Sequence, residues 1–169
     1  MPAAVQVPTT LQELDQVRSL MRAFIAWHKE RHLEDIQLID EYFDAEAFEQ
    51  ELASLPGKYA PPHGQLLLAT LNGTPAGCVA LREIDPASCE MKRMFVYPQF
   101  HGKGVGYALA EAVIREAKAL GYRRMCLDTS IRQNEARVLY QRLGFKTIEP
   151  YYELPEKLKS WLVFMALRI

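Results

Sequence analysis

MKRMFVYPQFHGKGVGYALAEAVIREAKALGY, residues 91–122, is the stretch whose reading decides the fold. Its opening residues complete a strand placed at 89–97, and Pro98, which has no N–H to give a ladder, stops it. Gly102, Gly104 and Gly106 alternate just afterwards and open a helix predicted over 105–120, which Gly121 terminates. In a loop of this kind several backbone N–H groups can point into one concavity, with the positive end of the helix dipole behind them. That geometry binds a phosphate or pyrophosphate, and a Cβ would block the approach of the ligand oxygen. A tight strand-to-helix turn with no ligand is the plainer alternative. A dinucleotide G-x-G-x-x-G fails in both registers, because Tyr107 and Leu109 stand where the third glycine belongs, and no G-K-[ST] follows. Asp128, at the end of the next strand, is the one feature left to support a ribose contact of the Rossmann kind.

Outward from this unit the elements alternate. Toward the N-terminus, a short strand at 5–7 precedes a helix capped by Thr9 or Thr10, in which Leu14, Val17, Leu20, Met21, Phe24 and Ile25 recur at helical spacing to about residue 28. Residues 30–51 hold nine acids against the single base Arg31. They read either as solvated helix faces and loops, with 45–55 helical, or as a negative rim that attracts a cation. Strands at 66–71 and 78–84 flank Asn72-Gly73, and the spacing predicts a connection somewhat longer than the minimal turn. Toward the C-terminus follow a strand at 124–129, a helix at 134–143 closed by Gly144, and strands at 145–148 and 161–167. The last strand is expected to place Trp161, Val163 and Met165 on one face and Leu162, Phe164 and Ala166 on the other.

Bulk properties narrow the function. A chain of 169 residues buries roughly 70% of its unfolded surface, enough for one domain over 1–169 without disulfide or metal staples. Twenty bases against 21 acids give a charge of −1, so no global field draws it to nucleic acid or an anionic membrane. Cys78, Cys89 and Cys126 are odd in number and lack zinc spacing, which reads as a reducing compartment. No apolar run of about 18 residues occurs, and MPAAVQVPTT lacks the marks of an export signal, so a cytoplasmic location is expected. No metal-ligand cluster and no G-x-S-x-G elbow is present, which argues against metal or covalent catalysis.

Val96-Tyr97-Pro98 followed by His101-Gly102-Lys103-Gly104-Val105-Gly106 resembles the acetyl-CoA motif of the GNAT N-acetyltransferase superfamily, V-x-P then [Q/R]-x-x-G-x-[G/A] and an amphipathic helix. Residues 134–145, NEARVLYQRLGF, are similar to its second motif, N-x-x-A-x-x-L-Y-x-x-x-G-F. The resemblance spans about 90–145 and implies an α/β fold: one GNAT-like domain, a mixed central sheet with splayed central strands, and helices on both faces. It implies that acetyl-CoA is the co-substrate and a primary amine the acceptor. The amine belongs to a small molecule or, alternatively, to a protein or peptide; a non-catalytic acyl-CoA-binding module is the remaining option. Oligomeric state is open, a homodimer included.

By the same resemblance, backbone at Met94, Phe95 and Val96 pairs with the pantetheine arm. Amides of Gly102, Lys103, Gly104, Val105, Gly106 and Tyr107 hold the pyrophosphate, and Asn134 holds the cofactor from the far side. His101 departs from the usual Gln or Arg and puts a titratable ring in the loop.

An alkyl ammonium is only about 0.1% neutral at pH 7, so a carboxylate near the thioester is wanted to take its proton. Glu90 lies six residues before Val96, an even offset expected to place both on one face, and in several members of the family that position carries the base. An ion pair with Lys92 or Arg82 is the equal alternative. Tyr140 matches the phenol that protonates the departing thiolate, or else it packs its ring beneath the cofactor helix.

Overall fold

The computed structural model describes residues 2–169. Seven strands form one sheet in the order β1-β2-β3-β4-β5-β7-β6. They are β1 (Ala4–Gln6), β2 (Gln65–Leu71), β3 (Thr74–Asp85), β4 (Ser88–Val96), β5 (Arg124–Ser130), β6 (Lys146–Ile148) and β7 (Leu162–Arg168). Only β4 and β5 run parallel; every other neighbouring pair is antiparallel.

Helices cover both faces. On one lie α1 (Leu11–Arg31), α2 (Ile36–Tyr42) and α3 (Ala45–Ala53); on the other α4 (Val105–Ala119) and α5 (Asn134–Arg142); the short α6 (Glu156–Lys159) leads into β7. Thr10 caps α1 through a reciprocal bond with Glu13. The α1 stripe of Val17, Leu20 and Met21 packs on Leu66, Leu68, Cys78 and Phe95. Leu109, Val113 and Ala117 of α4 pack on the opposite side of the same strands, against Val79, Leu81, Cys89 and Met91.

Four details differ from the sequence reading. The β2–β3 connection is the minimal two-residue turn: Leu71 pairs with Thr74, and Asn72 and Gly73 both take positive φ, 52° and 80°. The extra length lies instead in a bulge at Ala69/Thr70. Residues 36–42, which the sequence marks only as part of an acidic stretch, form α2, because Leu38, Ile39 and Tyr42 pack with Leu158, Trp161 and Phe164. Trp161 precedes β7 and packs with Leu162 and Phe164 rather than with Met165, since strand alternation does not reach it.

The fourth difference bears on the site. On β4, Cys78 pairs with Phe95 but Ala80 pairs with Lys92, so one residue too many lies between them, and Arg93 there takes φ 58°. A bulge of this kind switches the facing of everything beyond it. Cys89, Met91, Met94 and Val96 therefore point toward α4, while Phe95 packs against α1. Glu90 faces the α1–α2 side with Arg82 and Tyr151, so it does not share a face with Val96.

The same bulge opens the sheet. β4 pairs with β5 only from Ser88↔Arg124 to Glu90↔Cys126, whereas β5 stays paired with β7 as far as Ser130↔Leu162. Beyond Glu90 the two central strands diverge. Arg93 is held in its unusual conformation by two bonds to Glu51 of α3, at 2.9 and 3.0 Å, with the Phe43 and Phe48 rings under its guanidinium. Burial pushes the Glu51 carboxyl up, but Arg93 and then Lys58 outweigh it and hold its pKa at about 2. Asp35 is likewise internal and accepts from Arg132 and Trp161. Two members of the acidic segment are thus buried anchors rather than a solvated face or a rim.

Candidate active site

The divergence of β4 from β5 leaves one edge of β4 without a ladder partner over residues 91–96. A groove opens there, bounded by Met94, Phe95 and Val96 on the strand, by Gly102, Gly104, Val105, Gly106 and Tyr107 on the loop and first helical turn, and by Ala136 and Leu139 of α5. It encloses about 1010 Å³, its open side included.

At its loop end, Gly104 is the N-cap of α4 with φ 80°, and no side chain caps the helix. Gly102 has φ 76°, and a Cβ at either glycine would meet nothing within 4 Å. The first-turn amides therefore face open space at the positive end of a 15-residue helix, which suits an anionic oxygen. His101 donates from Nε2 to the Val96 carbonyl at 2.9 Å, tying the loop to the end of the strand. A hydrogen-bonding edge, an apolar wall and an amide cradle thus lie in line, an arrangement that fits a long ligand with a diphosphate at one end.

Eight of the ten cofactor residues inferred from the sequence line this groove; Lys103 and Asn134 are exposed and lie outside its lining. The neighbours of Asn134, Gln133 and Glu135, do line it.

An inner cleft continues from the groove between the diverging strands, sharing Phe24, Met94 and Gln133 with it. Met91, Lys92 and Arg93 of β4, residues 127–130 of β5, Tyr42, Phe43, Tyr140, Trp161 and Leu162 complete its walls. Tyr140 is 5% exposed, and its ring packs on Phe145. Burial, and then the charge of Asp128, raises its pKa, so the phenol keeps its proton. Asp128 accepts from Tyr42 Oη at 2.5 Å and Tyr152 Oη at 2.7 Å.

Farther out, Tyr42, Lys92, Arg93 and Leu162 also line a mouth completed by Glu41, Arg82, Glu90, Leu158 and residues 152–155. Glu90 is found here, 1% exposed, accepting from Arg82 at 2.6 Å and from Tyr151 at 2.5 Å. It stands directly across from Arg82 in the β3–β4 register, and it lines neither the groove nor the inner cleft. The two residues singled out for chemistry are therefore not brought together: Tyr140 faces the inner cleft and Glu90 its mouth.

Sequence reasoning missed several residues that do converge. Spacing offers Asp128 only as a ribose contact and Lys92 only as a partner for Glu90, and it marks neither Tyr42 nor Gln133. Gln133 accepts from Thr129 and meets His28 of α1, so α1, β5 and the start of α5 are linked where groove and cleft join. Among the described residues no group of side chains is placed to hold a metal ion, and no helix is long and apolar enough to cross a membrane.

Comparison with known proteins gives this architecture its relatives. An uncharacterized N-acetyltransferase of Schizosaccharomyces pombe is 44% identical over 109 residues, 63% of this chain and 67% of its own. A GNAT-family acetyltransferase of Staphylococcus aureus superposes with a TM-score of 0.75 over 98% of both chains at 20% identity. The PaiA N-acetyltransferase of Thermoplasma acidophilum, solved with coenzyme A, superposes with a TM-score of 0.73 over the whole of both chains at 17% identity; these two likenesses concern the fold. The profile described as the acetyltransferase (GNAT) family matches residues 31–145, which hold both motifs, the bulge and the diverging strands. The chain belongs to the GNAT family of acetyltransferases.

Proposed function

We propose that the protein transfers the acetyl group of acetyl-CoA directly to a primary amine of a small molecule. The observation that carries this reading is the continuity of the two cavities: a groove with an amide cradle at one end opens, past Phe24, Met94 and Gln133, into a cleft that holds a carboxylate and a protonated phenol. Two substrates entering from opposite sides would meet between β4 and β5, which favours transfer within a ternary complex.

Each residue has a part in that scheme. The free edge of β4 at Met94–Val96 and the amides of 102–107 align the thioester-bearing chain. Asp128, the carboxylate of the inner cleft, docks the acceptor ammonium and takes one of its protons. The amine nitrogen then forms the C–N bond and the C–S bond breaks, its electron pair leaving on sulfur. Tyr140 donates toward that sulfur. Of the two protons the ammonium gives up, one ends on the thiol and the other passes to solvent. Because burial raises the Tyr140 pKa, it contributes by hydrogen-bond donation as negative charge grows on sulfur, not from a pre-ionised state. Glu90, held by Arg82 and Tyr151, fixes the wall of the mouth. The walls of side chains around the inner cleft support a small acceptor over an extended peptide.

The ion pair of Glu90 favours one other reading, a module that binds acyl-CoA without turnover. Calorimetry with acetyl-CoA followed by a labelled-acetyl assay over small amines and peptides separates the two. Binding with transfer to a small amine is the expected result. Binding with no transfer to any amine leaves the module, and no binding at all removes both.

A further inference from the structure

Lys92 holds an unusual place among the charged groups of the molecule. Arg82, Arg93 and Arg132 around the inner cleft and its mouth each hold a carboxylate within 3.0 Å, Glu90, Glu51 and Asp35 respectively. Lys92 lines both cavities, is half-buried, and among the described residues has no carboxylate within 4.0 Å. Its one hydrogen-bond partner is the Tyr42 hydroxyl, at a long 3.4 Å. Every other lysine without a carboxylate partner is exposed.

A cation sunk in a protein is normally paired, because desolvation disfavours its charged form. That effect lowers the Lys92 pKa, against the opposing fields of Glu90 and Asp128. Once the three arginine pairs cancel, the cleft holds one ammonium on β4 and one carboxylate on β5. Both contact the Tyr42 hydroxyl, which bounds their separation at about 6 Å. That gap is too wide for a direct ion pair and suits a guest whose own two charges are one carbon apart. The inner cleft between Phe24, Phe43, Leu127 and Trp161 is tight, so an apolar guest side chain extends into the mouth against Leu154, Pro155, Leu158 and Leu162, and neither cavity offers a second free cation for a phosphate.

We infer that the acceptor is a free α-amino acid with an apolar or aromatic side chain, its carboxylate held by Lys92 and its amine by Asp128. This rests on the acetyltransferase reading above and narrows its substrate. Lys92 is then the specificity residue. An amine lacking the carboxylate leaves a buried ammonium unpaired, a loss a polar site discriminates strongly.

The test follows CoA thiol release with L-phenylalanine, L-methionine and L-tryptophan, each beside its decarboxylated amine and its α-carboxamide. The acids are expected to exceed their partners by about tenfold or more in kcat/KM. Lys92→Met should collapse that ratio through a higher KM for the acid, leave the calorimetric affinity for acetyl-CoA unchanged, and be partly rescued by Lys92→Arg. Amines or amides used as well as the acids, or a ratio that survives Lys92→Met, overturns the inference while leaving acetyl transfer intact. If nothing in the panel is acetylated, calorimetry of N-acetyl-L-phenylalanine against N-acetylphenethylamine on the CoA-saturated protein decides independently. Preference for the anion that disappears in Lys92→Met supports the carboxylate site, and equal binding refutes it.

Discussion

The groove and the inner cleft open between the same two strands but are made of different material. The anchoring groups of the groove are backbone, an unladdered edge at 91–96 and the amides of 102–107, from one contiguous run that faces an apolar wall from α1 and α5. The cleft is side chains: Tyr42 from α2, Lys92 from β4, Asp128 from β5, Tyr140 from α5 and Trp161 before β7. A backbone site needs glycines at fixed spacing and a proline to stop a strand, so it leaves a local mark on the sequence. A side-chain site needs only residues that meet after folding. Arg93 sits where the two are joined: its bulge turns Met94 and Val96 to the groove side, while Lys92 just before it lines the cleft.

Gly104→Val should produce the largest effect, confined to the groove. A β-branched residue is strained at φ 80°, and its side chain would occupy the cradle. Loss of acetyl-CoA affinity of about 10³-fold or more is expected by calorimetry, an energy of about 4 kcal/mol. Retained affinity would show that the amides are not the anchor. Glu51→Leu comes next and should injure both regions, because it leaves the buried Arg93 without its carboxylate. Breaking such a pair costs about 3 to 5 kcal/mol, read by chemical denaturation, and weaker acetyl-CoA binding should accompany it. A stability loss with unchanged affinity would mean that the bulge stands without the ion pair. Tyr140→Phe keeps the ring that packs on Phe145 and removes only the hydroxyl. Its kcat should fall by about 10²-fold with acetyl-CoA affinity preserved. An unaltered kcat withdraws the proton-donor role.

The same division explains what could be read in advance. The alternating glycines, Pro98 and the second motif at 134–145 marked the groove, and the strand and helix order followed from apolar spacing. Glu90 shows where that reading fails. Counting by twos from Glu90 to Val96 assumes a regular strand, and nothing local to Lys92-Arg93-Met94 announces the extra residue. The bulge depends on Glu51, 42 residues away, so parity along β4 is a tertiary property. Asp35 and Glu51 were invisible as anchors for the same reason: an acid bound for burial looks like any other until its arginine is located. Pairing Asp128 with Tyr42 across 86 residues was equally beyond spacing arguments.

The smallest predicted effect concerns the seam between the two regions. His28 is 2% exposed, and its pKa is lowered to about 4, first by burial and then by His32 and Arg31, against the pull of Asp35. Phe24 and Trp27 pack on its ring, and its Nδ1 has no partner. It stays neutral in the fold, with Thr129 donating to the Gln133 carbonyl and the Gln133 amide donating to Nε2. The unfolded chain takes up this proton near the ordinary 6.5 whereas the folded chain resists it to about 4, so stability falls as pH drops through that window. Between pH 7 and pH 5 the loss should be about 1 to 2 kcal/mol by chemical denaturation. Buried carboxylates such as Glu51 add little there, since their contribution is lost only at lower pH. His28→Leu should flatten the slope, and a slope that persists in that variant would place the titrating group elsewhere.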